Sequence, residues 1–265
     1  MNWSMRLAVT AVVLLTLASA IQAAAAQKGP QKGSLSADEA RRIVDHVDRL
    51  MRADSSRATT EMVVTTKRWT RSTRMTIWSE GTDNVLIRVE EPKKDAGTAT
   101  LRTGNNIWNY LPGIDRTVRV PTSMMMGSWM GSHFTNDDLV KNSRLIRDYD
   151  IAVSFEGARD GAQVYEFTLT PKPDAPVVWG RVVYLVRQAD LLPVWARFHA
   201  EDGALKSTIA FTDVATLDGR LVPTRMRVTP QDKPGEFTEM RYVSLDFDVA
   251  IPPKLFSLSS LRGSW

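Results

Sequence analysis

An alternation of apolar and polar residues with a period of two, sustained from Ala58 to Val249 and broken only once, constrains this chain more than any other feature. Successive side chains of a strand point to opposite faces, so each such run has one face for water and one for a core. In the first half the runs are 60-TEMVVTTKRW, 72-STRMTIWS, 84-NVLIRVEE, 98-TATLRT, 106-NIWNYLP and 116-RTVRVP, separated by Gly, Asp, Asn and Pro. The second half extends from Tyr149 to Val249. Its runs include 162-AQVYEFTLTP, 181-RVVYLVRQ, 194-VWARFHAE, 205-LKSTIAFTDV, 221-LVPTRMRVTP and 236-EFTEMRYVSLDFDV. Ala-Glu-Asp-Gly at 200–203 and Leu-Asp-Gly at 217–219 are hairpin signals. Short strands at close spacing with turn residues between them predict an antiparallel meander. No linker divides it and no internal repeat subdivides it, so one continuous, strongly curved sheet is the economical arrangement. The chain has no cysteine, so this sheet must be held by a core and not by disulfides.

Ahead of the strands, Ser36 and Glu39 have the S-x-x-E spacing of a capping box. Ala40, Ile43, Val44, Val47, Leu50 and Met51 follow at helical spacing, which predicts an amphipathic helix from about Ala37 to Ala53. Arg41, Arg42, Asp45, Asp48 and Arg49 form its expected wet side. The single apolar stripe calls for a sheet to lie against. Upstream, Leu7–Leu17 is an apolar run behind Arg6, with small-residue triplets at 18–20 and 24–26. That is the layout of a secretory leader, and it is shorter than the roughly 20 apolar residues of a membrane span. The expected organisation is a signal peptide over 1–26, a flexible polar segment over 27–35, and one domain over 36–265.

The alternation fails at residues 122 to 147. This stretch opens on Met124, Met125, Met126, Trp129 and Met130 among Gly and Ser, then runs through Thr135 and Asp138, a second capping pair. A Met- and Trp-rich loop leading into a short helix is therefore inserted between two groups of strands. The chain closes on 252-PPKLFSLSSL, read as a helical turn that packs Leu255, Phe256 and Leu258.

Catalytic motifs are absent. His46, His133 and His199 lack metal-ligand spacing, and there is no G-x-S-x-G, no H-E-x-x-H and no phosphate-binding glycine loop. Asp137 and Asp138 are adjacent carboxylates such as a hydrolase could use, yet acids at a helix N-terminus need no catalytic role. The formal charge of +4 is too mild for nucleic acid. No enzyme activity, metal or cofactor is expected. What remains is the inner face of a curved sheet, which can be filled or left as a cavity. Trp78, Trp108, Tyr110, Trp179, Tyr184, Trp195 and Phe198 are candidates to line it, although any one of them is also an ordinary core position. Met124, Met125, Met126, Trp129 and Met130 are candidates to plug or gate it. Unbranched Met side chains repack around varied shapes, which suits a cargo of variable acyl chains.

The run 107-IWNYLPGIDRTVRVP followed by 127-GSWMGSHFTNDDLVK resembles the LolA-like outer-membrane lipoprotein-sorting proteins. So do the Tyr165–Leu169 spacing, 192-LPVWARFHAEDGALKSTIAFTDV, 219-GRLVPTRMRV and the closing Ile251-Pro252-Pro253 with Phe256. The resemblance implies an unclosed antiparallel β-barrel, a curved half-barrel, with a helical lid over its open end. It further implies a periplasmic carrier that shields lipoprotein acyl chains or another lipid. Such a carrier receives cargo from an inner-membrane transporter of ABC or RND type and passes it to an outer-membrane acceptor. Trp108–Pro112 and Gly127–Leu139 are the positions the resemblance places. His133 stands where the comparable proteins carry Asp, which would make lid behaviour differ and respond to mild acid. An envelope sensor or scaffold that uses the same barrel for protein recognition is the alternative.

Overall fold

A computed structural model describes residues 35–141, 145–175 and 177–263 of the protein. The expected leader and residues 27–34 lie outside them. The capping box is present as read: Ser36 accepts from the Glu39 backbone N–H at 3.3 Å, and its own backbone N–H donates to the Glu39 carboxylate at 2.8 Å. It opens helix α1, Ala37–Arg49. The helix stops a turn earlier than its apolar stripe, because Ala53 adopts a left-handed backbone at φ 49° and its N–H closes onto the Arg49 carbonyl at 3.0 Å.

Six strands follow: β1 Ser55–Thr65, β2 Thr70–Glu80, β3 Asn84–Glu91, β4 Ala99–Thr103, β5 Asn106–Leu111 and β6 Arg116–Arg119. After the insertion, with α2 Asn136–Lys141 and α3 Leu145–Asp148, come seven more. These are β7 Tyr149–Arg159, β8 Ala162–Pro171, β9 Arg181–Arg187, β10 Pro193–His199, β11 Leu205–Leu217, β12 Arg220–Pro230 and β13 Phe237–Phe247. Strand β7 lies within the second half that the alternation outlined, but among its named runs it was not picked out. All thirteen belong to one sheet in the order β6-β5-β4-β3-β2-β1-β13-β12-β11-β10-β9-β8-β7. Every pair of neighbouring strands among the described residues is antiparallel, and the sheet is not closed.

The order explains the architecture. The first and last strands pair at the centre, with Met62 opposite Met240 and Val64 opposite Thr238. The edges, β6 and β7, are the two strands that flank the insertion. Residues 120–148 must therefore travel from one rim of the open sheet to the other.

Register assigns the faces. Across β1 to β4, Ser56 lies opposite Ser79, Ser79 opposite Val85, and Val85 opposite Arg102. With Met75, Ile87, Phe167, Tyr184, Phe198 and Met240, these residues share the face covered by α1. Ala40 and Val44 of the helix are 1 % and 2 % exposed there. The opposite face is dry where the C-terminal segment covers it. Trp78, Leu86, Ala99 and Leu101 are buried beneath the C-terminal segment through Leu255 and Leu261. That segment is tied down by Arg88 Nη2 donating to the Ser260 carbonyl at 2.7 Å. The closing turn is Leu258–Arg262; Leu255 and Phe256 pack as read, whereas Leu258 is half-exposed because it points off the sheet.

Phe167 sits at the middle of the concave core with no exposed surface. Phe167→Ala is expected to lower unfolding free energy by about 3–5 kcal/mol, as other large-to-small core changes do. Urea denaturation followed by tryptophan fluorescence measures it.

Candidate functional site

The concave face holds a cavity of about 250 Å³. Its walls come from the sheet through Ala58, Ile77, Val85, Tyr184, Ile209 and Tyr242, from α1 and the turn after it through Val47, Leu50 and Met51, and from the insertion through Phe134 and Leu139. Helix and insertion cover different parts of one face.

The insertion folds on itself before it crosses. Trp129 and Phe134 are joined by a backbone bond of 2.8 Å, Ser128 and Thr135 form an isolated bridge, and Asn136 Nδ2 donates to the Met124 and Gly127 carbonyls at 3.0 and 3.2 Å. A Cβ on Gly127 would come within 2.9 Å of the Met124 carbonyl, so the closure requires glycine there. The second capping pair is also formed as read. The Thr135 N–H donates to Asp138 at 2.8 Å, and the Asp138 N–H donates to Thr135 Oγ1 at 3.0 Å.

Polar contacts then lay this loop across the sheet. The Trp129 ring N–H donates to Thr100 Oγ1 on β4 at 3.1 Å. Arg71, on β2, donates to the Met130 carbonyl. The His133 backbone N–H donates to Thr238 Oγ1 on β13 at 2.9 Å; its ring Nδ1 lies 2.9 Å from the same hydroxyl, and Nε2 lies 3.2 Å from Glu236 Oε2. The His133 partnership is the leading reason that the Glu236 carboxyl sits below its ordinary range. At the far rim, the Trp179 ring N–H donates to Asp138. That contact and the capping bonds do not offset burial, which pushes the Asp138 carboxyl up to about 6.

Strand parity corrects part of the sequence reading. Trp78, Trp108 and Tyr110 occupy even positions whose odd neighbours face the cavity, so they lie on the convex face and pack beneath the C-terminal segment. Trp195 is on that outer face too, 4.0 Å beneath the Arg197 guanidinium. A one-residue change of register moves a side chain through the sheet, and alternation alone does not say which face is inside. Tyr184 and Phe198 do face inward, and Tyr184 lines the cavity. Trp179 packs on Phe198 with ring centroids 5.4 Å apart, at the rim where the insertion lands.

Within the Met/Trp segment, Trp129 is only 1 % exposed and packs in the concave core. Met130 packs partly against the core, Met125 is half-buried, and Met124 and Met126 are exposed at 57 % and 51 %. Met125 and Met126 border a groove of about 820 Å³ with Val120, Pro121 and Val177.

Several polar residues of the site were not singled out in the sequence. Arg71 and Arg102 sit at inward-facing positions of alternating strands, where a charged side chain is unusual; that was the available signal. Asp48 was read as wet, because it lies among charged neighbours on α1. Its side chain is only 2 % exposed and is paired with Arg52 at 2.5 Å. Burial is the main cause that pushes the Asp48 carboxyl up to about 7, against the opposing pull of Arg52.

Comparison with known proteins follows the geometry. A family model described as an uncharacterized-protein family matches residues 81–263. A search of curated proteins returns no match. Among solved structures, a domain from Vibrio parahaemolyticus described as outer membrane lipoprotein-sorting superposes with a TM-score of 0.74 at 22 % identity, covering 86 % of this chain and 100 % of that one. A DUF1329 family protein from Desulfovibrio piger gives 0.75 at 24 % identity, over 85 % and 98 % of the two chains. A LolA superfamily protein from Nitrosomonas europaea gives 0.71 at 21 % identity, over 83 % and 98 %. These likenesses bear out the LolA-like resemblance and the unclosed, curved antiparallel sheet.

A carboxyl raised in the native state favours folding at low pH and loses that contribution as pH rises through its native value. Asp48 and Asp138 should therefore make thermal stability fall between about pH 4 and pH 7, the window from an ordinary carboxyl to their native values. Asp48→Asn should flatten that slope, as read by the melting temperature across a pH series.

Proposed function

We propose that this chain, which belongs to the uncharacterized-protein family whose model spans residues 81–263 and has the LolA-like fold, is a periplasmic carrier of lipid. It takes the acyl chains of lipoproteins or another lipid into the concave cavity. It shuttles them between an inner-membrane transporter and the outer membrane. One observation carries the reading: an apolar cavity on the concave face is covered by a segment that passes from one rim of the open sheet to the other.

The cover is suited to moving. Beside the apolar burial of Trp129 and Phe134, its polar attachments to the sheet are single contacts through Thr100, Arg71 and Thr238, none of them in a strand ladder. A hydrogen bond of this kind is worth about 0.5–1.5 kcal/mol net, and one to a charged group somewhat more. Burying an acyl chain gains about 0.8 kcal/mol per CH₂, so a few methylenes match each contact they displace. The cavity of about 250 Å³ is smaller than the roughly 300–1,000 Å³ of ordinary small-molecule sites. A full acyl load therefore requires Trp129 and Phe134 to withdraw. The exposed Met124 and Met126, with Met125, are then placed to contact the chains that replace them.

The test is to produce the exported protein in a Gram-negative host, purify it without detergent, and extract bound material for lipid mass spectrometry. Stoichiometric lipid is expected. A protein that stays empty after incubation with envelope lipid extract would overturn the carrier reading. Arg71→Leu removes the donor to the Met130 carbonyl and is expected to raise the rate of uptake of an apolar fluorescent probe. Serine at 124, 125 and 126 together should weaken lipid retention; unchanged retention would remove these methionines from the site.

A further inference from the structure

The cavity is not uniformly apolar. At the end next to the β2–β3 turn, two guanidinium groups arrive from different elements. Arg52, just past α1, donates from Nη1 to the Gly81 carbonyl at 3.3 Å, and Arg102, on β4, donates from Nη2 to the Thr82 carbonyl at 2.8 Å. They thus converge on consecutive carbonyls. Arg52 is paired with Asp48 at 2.5 Å, with side-chain exposures of 15 % and 2 %. Asp48, Arg52 and Arg102 all line the apolar cavity.

Such a pair is costly to bury, several kcal/mol per ion, and apolar side chains of similar size would serve packing at least as well. The pair is also incomplete. Asp48 Oδ1 and Arg52 Nε are both buried without a hydrogen-bond partner among the described residues. An unpartnered oxygen on the carboxyl and an unpartnered nitrogen on the guanidinium, in a pair that lines an apolar cavity, match a small polar group at the tip of a long apolar molecule.

We propose that this end of the cavity is a headgroup site and that its ligand is an acyl carboxylate, a long-chain amphiphile ending in a carboxyl group. The proposal rests on the carrier reading of the cavity and names the cargo's polar end. A carboxylate is planar with two accepting oxygens. One accepts from Arg52 Nε–H, and the other accepts from Asp48 in its protonated form. Burial holds the Asp48 carboxyl at about 7, so the proton is available near neutral pH. A second carboxylate beside it raises its proton affinity further. Asp45 and Arg49 act on Asp48 from its own helix. Arg147 borders the crevice behind it, and Arg102 with the Tyr184 and Tyr242 phenols faces it across the cavity. Both phenols are raised by burial and stay neutral, so they supply no competing charge.

The experiment uses delipidated exported protein and a neutral, environment-sensitive naphthylamine probe, displaced by dodecanoic acid or by methyl dodecanoate. The acid should displace the probe about tenfold better at about pH 7, a difference of about 1.4 kcal/mol. The preference should vanish in the double variant Asp48→Asn with Arg52→Gln, which removes both charges together. Equal displacement by acid and ester would overturn the headgroup site and leave the carrier reading standing. A probe that does not bind at all would overturn both. Should the double variant fail to fold, titration calorimetry of the unaltered protein in two buffers of different ionisation enthalpy decides. Proton uptake on binding the acid at about pH 7.5 is expected, and binding without uptake would overturn the proposal.

Discussion

A single open sheet has an inner face that it cannot cover by itself, and the rest of this molecule answers that requirement. Thirteen antiparallel strands curve around one apolar surface without closing. Helix α1 lies on part of it through Ala40 and Val44, and the insertion lies on another part through Trp129 and Phe134. The two covers differ in kind. The helix is short and attached by its apolar stripe; the insertion is led across the face from β4 to β13 by individual polar contacts. Apolar burial is diffuse and tolerates sliding, whereas a hydrogen bond specifies a position and can be exchanged for another.

The placement of charge follows the same logic. On the convex face, arginines lie over aromatic rings or reach carbonyls near water, as Arg197 does over Trp195 and Arg88 does toward Ser260. On the concave face, Arg71, Arg102 and the Asp48–Arg52 pair are held among apolar side chains, where each ion must be paid for by a specific partner. Arg71 meets the cover, and Arg102 and Arg52 meet the turn at the cavity's end.

Much of the local structure was legible because it is decided by residues close in the chain. The capping box at Ser36 and Glu39, the second capping pair at Thr135 and Asp138, and the turns at 200–203 and 217–219 all formed where their spacing put them. Strand positions followed from alternation. The candidate site was legible only in part, because alternation defines two faces without naming them. Tyr184 and Phe198 are on the concave side, while Trp78, Trp108, Tyr110 and Trp195 are on the convex side. Asp48 was misread for a related reason: its neighbours on the helix are charged, and only its tertiary surroundings bury it.

The amino-acid sequence by itself determined that this chain is a meander of short strands behind one amphipathic helix, with a Met- and Trp-rich interruption and no disulfide. Those properties depend on a period of two, on caps three residues apart and on the absence of cysteine. Tertiary structure decided that β1 pairs with β13, although almost the whole domain separates them, and hence that β6 and β7 become the rims. It also decided which face is concave, that Trp129 seats on Thr100 while Met124 and Met126 stay outside, and that Asp48 meets the cavity. The physical reason is range. Periodicity and caps are energies between near neighbours, whereas pairing partners, inner and outer faces and the seating of a loop exist only when distant segments meet.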